Sequence, residues 1–462
     1  MKGLAKKLRI GYNIEVFCKE NEFSGTRNFK IKEITMKKYS ELSKNEIEEL
    51  YSELSRKYDE YKAAGLSLDL SRGKPNSEQL DIADGMLSLS VTRELCNGEN
   101  GFDYRNYGVL DGIPEAKRLF GDLYGIDASN VIVAGNSSLQ LMYDALTRAM
   151  LFGTCDSEKP WCREDGLKWI CVAPGYDRHF KITEDLGFEL LTVKMTADGP
   201  DMDEVERLAL DPKVKGIWCV PKYSNPTGNT YSDDTVRRLA SMKCGACDFR
   251  IMWDNAYAIH AFEDRDDKLL DIFAEAKKYG NENRILYFAS TSKVTLPGSG
   301  VAIVAASDAN IAEIKRHMGT QTIGYDKINQ LRHVAYFKNS DNVMKHMKKL
   351  GTAIKAKFDI TLKALSELDG LGIAEWTKPY GGYFISLDVE VGSASRIFEL
   401  MKAAGVTLTQ VGATYPYGKD PEDKNLRIAP TYPSDKELAL ACEILTLTVR
   451  MSALESLLAS GA

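Results

Sequence analysis

Between residues 102 and 305 the chain alternates short, unbroken apolar runs with longer segments whose apolar positions recur every three or four residues. The runs Val-Ile-Val-Ala-Gly (131–135), Trp-Ile-Cys-Val-Ala-Pro (169–174), Gly-Ile-Trp-Cys-Val-Pro (216–221), Phe-Arg-Ile-Met-Trp-Asp (249–254) and Arg-Ile-Leu-Tyr-Phe-Ala-Ser (284–290) predict strands. A strand that is apolar at every position is covered on both faces, and strands separated by helices run parallel. Residues 137–153 predict one such helix, with Leu139, Met142, Tyr143, Leu146 and Met150 along one face. The pattern therefore predicts an α/β fold with a large, mainly parallel sheet between helices.

Beyond residue 340 the pattern changes. A long Lys-rich helix leads into Ile-Ala-Glu-Trp (373–376), Gly-Gly-Tyr-Phe-Ile-Ser-Leu-Asp-Val (381–389) and a closing helix from Ser434. At the other end, 38–64 predicts a helix carrying Leu42, Ile47, Leu50 and Leu54. The expected organisation is a large domain over 96–340 and a smaller α+β domain built from 36–95 and 341–462. Residues 1–35 are basic and without periodicity. They are expected to be an appended arm, or a segment upstream of a true start at Met36, and the intact mass of the native protein decides between these.

The 462 residues carry Lys+Arg 60 against Asp+Glu 66, a formal net charge of −6. That balance, with no Lys/Arg stripe interleaved with aromatics, argues against nucleic acid as a partner. Hydrophobic residues at 44% and charged residues at 27% exclude disordered and disulfide-scaffold classes. Nine cysteines, an odd number and several inside apolar strands, fit free thiols in a reducing compartment. Cys244-x-x-Cys247 has no second pair at zinc spacing, so no metal is expected. No apolar run nears the roughly 20 residues of a membrane span, and no signal-peptide cleavage site follows the basic start. A cytoplasmic protein with no membrane partner is expected.

In such sheets ligands collect at the carboxyl ends of the strands. After 131–134 comes Gly135-Asn136-Ser137-Ser138, opening a helix whose first N–H groups suit a phosphate; alone this reads more readily as an ordinary Ser N-cap with a Gly turn. After 216–221 comes Lys222-Tyr223-Ser224-Asn225-Pro226-Thr227-Gly228, in isolation only a turn. The strand 249–254 ends in Asp254, followed by Asn255-Ala256-Tyr257, and a carboxylate at a buried strand end needs a cationic partner. After 284–289 comes Ser290-Thr291-Ser292-Lys293. Four strand ends thus supply a phosphate cup, an amide, an Asp–Tyr pair and a lysine. This set suits a phosphorylated pyridine aldehyde.

These motifs resemble fold type I pyridoxal 5′-phosphate (PLP) enzymes, specifically class I aminotransferases, over residues 68–430. Arg105-Asn106-Tyr107 with Leu110-Asp111-Gly112-Ile113-Pro114-Glu115, Asn225-Pro226-x-Gly228, Asp254-x-Ala256-Tyr257, Ser290-x-Ser292-Lys293 and Leu426-Arg427-Ile428 match in order and approximate spacing. The wording Ser-Arg-Gly-Lys-Pro (71–75) and Ala-Pro-Gly-Tyr-Asp-Arg-His (173–179) is similar to a divergent bacterial aspartate aminotransferase branch related to MocR-type proteins. The resemblance implies a seven-stranded-type sheet, PLP as cofactor, an amino acid and a 2-oxo acid as substrates, and a homodimer. Lys293 would hold the cofactor as a Schiff base and shuttle the Cα proton. Asp254 would hold the ring nitrogen, and Asn225 and Tyr257 the ring oxygen. Tyr176 would stack on the ring, while Asn136, Ser137, Ser138 and Ser290 would hold the phosphate, joined by Tyr107 of the other subunit, with Ser292 also binding the cofactor. Arg427 would clamp the substrate α-carboxylate beside Gly73.

For a distal carboxylate, Arg178 and Arg72 are the candidates, with Lys222 a third. The family's phosphate-pairing arginine, eight residues after the lysine, is here Val301. Backbone N–H groups of Leu296–Val301 are the expected substitute. The favoured activity is aspartate:2-oxoglutarate transamination by a ping-pong route. The alternatives are another transaminase specificity, a PLP lyase, and a non-catalytic PLP-binding regulatory module. The last is disfavoured because only about 35 residues precede the fold, fewer than the roughly 50 of a small DNA-binding domain.

Overall fold

The computed structural model describes residues 37–99, 101–262 and 267–461; the arm expected over 1–35 lies outside the described residues. The central sheet contains β1 (Val131–Val133), β2 (Lys168–Ala173), β3 (Glu189–Thr196), β4 (Gly199–Pro200), β5 (Val214–Cys219), β6 (Arg250–Asp254), β7 (Ile285–Ser290) and β8 (Ala302–Ala306). Their spatial order is β1-β8-β7-β6-β5-β2-β3-β4. Strands β3, β2, β5, β6 and β7 are parallel. β8 runs antiparallel between β7 and β1, and the two-residue β4 closes the far edge antiparallel to β3.

The unbroken apolar runs follow from the two cores they serve. Val131, Val133, Ile170, Ile251 and Trp253 point into one, while Ile132, Trp169, Cys171 and Met252 point into the other. Successive side chains leave opposite faces of a strand, so a sheet covered on both sides needs apolar residues at every position.

The helices that bear on the site are α1 (Lys44–Ala63), α2 (Ser138–Phe152), α3 (Asp177–Asp185), α4 (Lys327–Phe337), α5 (Ser340–Leu365) and α6 (Asp435–Ser460). The helix expected over 38–64 begins later, at Lys44. Ser43 caps it, accepting from the Glu46 amide, while the Glu46 carboxylate accepts from the Ser43 amide. That reciprocal box fixes the first helical residue, and Tyr39–Glu41 forms a separate 3₁₀ turn. α1 lies against α6: Lys57 pairs with Glu443, and the Tyr51 hydroxyl donates to Glu455 at 2.8 Å.

A second sheet, β9 (Ala374–Trp376), β10 (Ile385–Val389) and β11 (Asn425–Ile428), is antiparallel. Leu68–Asp69 pairs in parallel with Val406–Thr407, and the Leu70 carbonyl accepts from the Ala429 amide. Those ties carry Ser71, Arg72 and Gly73 over the carboxyl ends of the large sheet. No helix among the described residues is long and apolar enough to cross a membrane.

Candidate active site

A cleft of about 600 Å³ opens at the carboxyl ends of the parallel strands, roofed by Arg72, Gly73 and Arg427. Asp254, the last residue of β6, is 4% exposed. Its Oδ2 lies 3.0 Å from His179 Nε2, but its buried Oδ1 has no hydrogen-bond partner. His179 is 1% exposed and stacks on Trp218 with ring centroids 4.3 Å apart. Tyr176, just before α3, meets the His179 ring edge-on at 4.9 Å and lines the cleft. Burial pushes its phenol up to about 12.

Lys293 sits in the turn after β7, with Nζ 5.1 Å from the Tyr257 ring centroid and 5.8 Å from that of Tyr383. Loss of solvent lowers its pKa, against the pull of the Asp254 carboxylate. The amine is thus moved toward its nucleophilic neutral form. Burial drives the Tyr257 phenol the other way, well above its ordinary value, so it stays a proton donor.

At the phosphate-cup end, Ser137 caps α2, accepting from the Gln140 amide at 3.4 Å. Ser290 Oγ donates to Ser292 Oγ at 3.0 Å, and Ser292 Oγ to the Asn136 carbonyl at 3.2 Å. Ser137, Ser138, Ser290 and Ser292 line the cleft; Asn136 meets it through that carbonyl. The expectation for the loop needs correction at Val301 itself. The Val301 amide is not free to bind an anion: it donates to Thr291 Oγ1 at 2.9 Å, and its carbonyl accepts from the Thr291 amide. Val301 is 1% exposed, so this position is filled by packing rather than by charge.

On the opposite wall, Arg427 leaves β11 across from Ser386. Its Nη1 donates to Asp177 Oδ1 at 2.9 Å and to Asn225 Oδ1 at 3.4 Å, and its Nε to Thr409 Oγ1 at 3.4 Å. The guanidinium lies 5.1 Å from the Phe384 ring centroid. Gly73 is required here: a Cβ would fall 2.3 Å from that ring. Arg72 and Arg178 line the same cleft and are exposed. Lys222 does not line it; its Nζ lies 5.4 Å from the Tyr223 ring centroid. Nor does Tyr107, which is 76% exposed on the same chain.

The cleft thus gathers the predicted residues except Tyr107 and Lys222, most from the strand ends of the large sheet and Arg72, Gly73 and Arg427 from outside that sheet. Sequence reasoning missed His179 and Asp177, although both stand in the segment 173–179 that it singled out. His179 falls one helical turn from Tyr176, the spacing that puts two side chains on one face.

The orphan Oδ1 of Asp254 fits a protonated ring nitrogen, and Lys293 is the amine within the same cleft. The fold and this donor set define a fold type I PLP enzyme. The sequence model of the family described as aspartate amino-transferase matches residues 42–460. The chain is 46% identical over 406 residues to an aspartate aminotransferase of Corynebacterium glutamicum, covering 88% of this chain and 94% of that one. A crystal structure of an aspartate transaminase from C. glutamicum superposes with a TM-score of 0.87 at 45% identity, covering 89% of this chain and 97% of that one. A more distant similarity, 23% over 274 residues and 58% of each chain, is to the HTH-type transcriptional regulator NorG of Staphylococcus aureus. The chain belongs to the aspartate aminotransferase family: it is an aminotransferase, and its cofactor is pyridoxal 5′-phosphate.

Proposed function

We propose that the chain transfers the amino group of aspartate to 2-oxoglutarate by a ping-pong route, as a homodimer. The observation that carries the dicarboxylic specificity is the charge of the wall facing Lys293. Besides Arg427, the exposed guanidinium groups of Arg72 and Arg178 border the same cleft. A planar fork suits a carboxylate, and a dicarboxylic substrate needs two such sites.

When bound, the cofactor supplies an electron-withdrawing pyridinium that stabilises negative charge at the substrate Cα. Asp254 holds the ring-nitrogen proton, and His179, stacked on Trp218, fixes the Asp254 carboxylate. Asn225, whose Oδ1 faces Arg427, and Tyr257 donate to the ring oxygen. Tyr176 packs against the ring. Asn136, Ser137, Ser138, Ser290 and Ser292 surround the phosphate, together with the N-terminus of α2. Lys293 Nζ takes the Cα proton and returns it. Arg427 orients the α-carboxylate, with Gly73 making room for the Phe384 ring beneath it. Arg178 and Arg72 hold the distal carboxylate.

Tyr107 reaches the partner's cup in this reading. Two facts support it: Tyr107 is exposed, and the Gly108 carbonyl beside it accepts from Lys327 Nζ at 3.0 Å, which holds the loop in place. The eight cysteines among the described residues are free thiols, which suits the cytoplasm.

The test is a single half-turnover. Holoenzyme mixed with L-aspartate and no oxo-acid acceptor should release one oxaloacetate per subunit while the cofactor band shifts. A band that ignores aspartate but responds to a monocarboxylic amino acid would reject the dicarboxylic reading.

A further inference from the structure

The chain has five histidines. One, His179, contacts Asp254. Three more converge on the turn that carries Lys293, and the chemistry above uses none of them. Thr291 to Thr295 forms one helical turn: the amides of Val294 and Thr295 both donate to the Thr291 carbonyl. A helix that stops after one turn leaves its last carbonyls without backbone donors, and burial makes such orphans costly.

Here His260 Nε2 lies 3.2 Å from the Lys293 carbonyl and His346 Nε2 2.6 Å from the Val294 carbonyl. A carbonyl can only accept, so both rings carry their proton on Nε2. His333 is set the other way. Its Nδ1 donates to the Asn329 carbonyl at 2.9 Å, leaving the Nε2 lone pair as an acceptor with the Thr291 hydroxyl at 3.3 Å and the Thr295 hydroxyl at 3.1 Å; the Thr295 hydroxyl also reaches the Thr291 carbonyl at 3.4 Å.

We infer that His260, His333 and His346 are positioning residues: three neutral imidazoles, from three different elements, that fix the backbone of the Lys293 turn and so aim its amine. His260 follows β6, His333 belongs to α4 and His346 to α5. They hold both flanks of one turn, and each makes a contact that a hydrophobic residue of similar size cannot make. All three are at most 8% exposed. Burial brings His260 down to about 3 and His333 to about 4, and lowers His346, so the neutral tautomers persist at working pH. His260 Nδ1 is itself buried without a partner, as a bare lone pair rather than an N–H. The turn connects through Thr291 to Val301, the position where an arginine would otherwise stand. In this chain the turn is therefore held by packing and imidazoles.

The inference rests on Lys293 being the reacting amine, and the test separates the two. Borohydride trapping of the cofactor on its lysine, followed by peptide mapping, should label Lys293; a label elsewhere rejects that reading and the inference with it. With Lys293 labelled, His260→Leu and His346→Leu should slow the aspartate half-reaction about 10- to 100-fold. They should also speed amide hydrogen exchange of residues 291–295 in the cofactor-free protein at least about tenfold. His260→Gln and His346→Gln keep a donor near the Nε2 position and should recover most of both effects. Folded leucine variants within twofold of wild type in rate and exchange would overturn the inference. Nitrogen-15 spectra of the wild type need no variant to fold. They should show Nε2–H tautomers for His260 and His346 and Nδ1–H for His333, and the opposite tautomer at His346 overturns it.

Discussion

On the sheet side of the cleft, Asp254 and His179 are 4% and 1% exposed and bonded to one another, and the Lys293 turn is tied to its surroundings at every carbonyl described above. On the facing wall, Arg72 and Arg178 are exposed, and the one well-buried cation, Arg427, is paired with the one-third-exposed carboxylate of Asp177. The two sides do different work. Where a charge must keep one position and one protonation state, the fold surrounds it and fixes its partner. Where a charge must meet an arriving carboxylate, the fold leaves it solvated or gives it a partner that can be displaced. A buried, fully satisfied ion pair on the substrate wall would cost several kcal/mol to open for each turnover.

The sharpest break in that comparison comes from removing the amine on the rigid side. Lys293→Ala should reduce turnover about 10⁴-fold or more, because positioned proton transfer and the covalent route are lost together. The measurement is oxaloacetate released from aspartate in a single turnover, and a residual rate within tenfold of wild type would place the reacting amine elsewhere. On the opposite wall, Arg427→Lys keeps the charge but not the planar fork. It should lower kcat/KM about 10- to 100-fold for every amino acid tried, a loss of about 1.4–2.8 kcal/mol. Equal kinetics for the two side chains would mean that Arg427 acts as a simple point charge. Arg178→Ala should be narrower still. Losing one charged hydrogen bond raises KM for aspartate about tenfold and leaves KM for alanine unchanged. Equal effects on both substrates would remove Arg178 from the distal-carboxylate site.

These differences also explain what could be read in the sequence. β2, β5, β6 and β7 are apolar at nearly every position because each lies between two cores, and that pattern is visible without coordinates. β3 is not: its burial alternates along Glu189–Thr196, since it lies next to the short edge strand β4. β8, Ala302–Ala306, is as apolar as the others but follows a Gly-rich loop with only single turns at Thr291–Thr295 and Pro297–Ser299 and no long helix to signal a separate strand; it runs antiparallel. In the site, residues at strand ends were legible because strand ends collect ligands. His260, His333 and His346 were not, since their roles depend on contacts across tens of residues. An isolated histidine in a sequence carries no sign of which carbonyl or carboxylate it will meet. Val301 shows the converse: the sequence exposed the missing arginine, but only the structure showed that the Val301 amide is already used.

The smallest expected effect tests the displaceable side of the comparison most directly. Asp177 Oδ1 takes the Nη1 of Arg427 at 2.9 Å, and Asn225 Oδ1 shares that nitrogen at 3.4 Å. In the proposed reaction, a substrate α-carboxylate bound bidentately to Arg427 would have to displace Asp177 from the fork. The Asp177 side chain is 34% exposed, so water can receive it when it leaves. Asp177→Asn keeps the shape and removes the competing charge. It should therefore lower KM for aspartate about two- to fivefold with little change in kcat. It should also tighten inhibition by dicarboxylates such as maleate to the same degree. Added salt, which screens the wild-type pair, should narrow the gap between the two proteins. A rise in KM instead would mean that Asp177 aims Arg427 toward the substrate rather than holding its place, and the substrate wall would then be as preorganised as the sheet side.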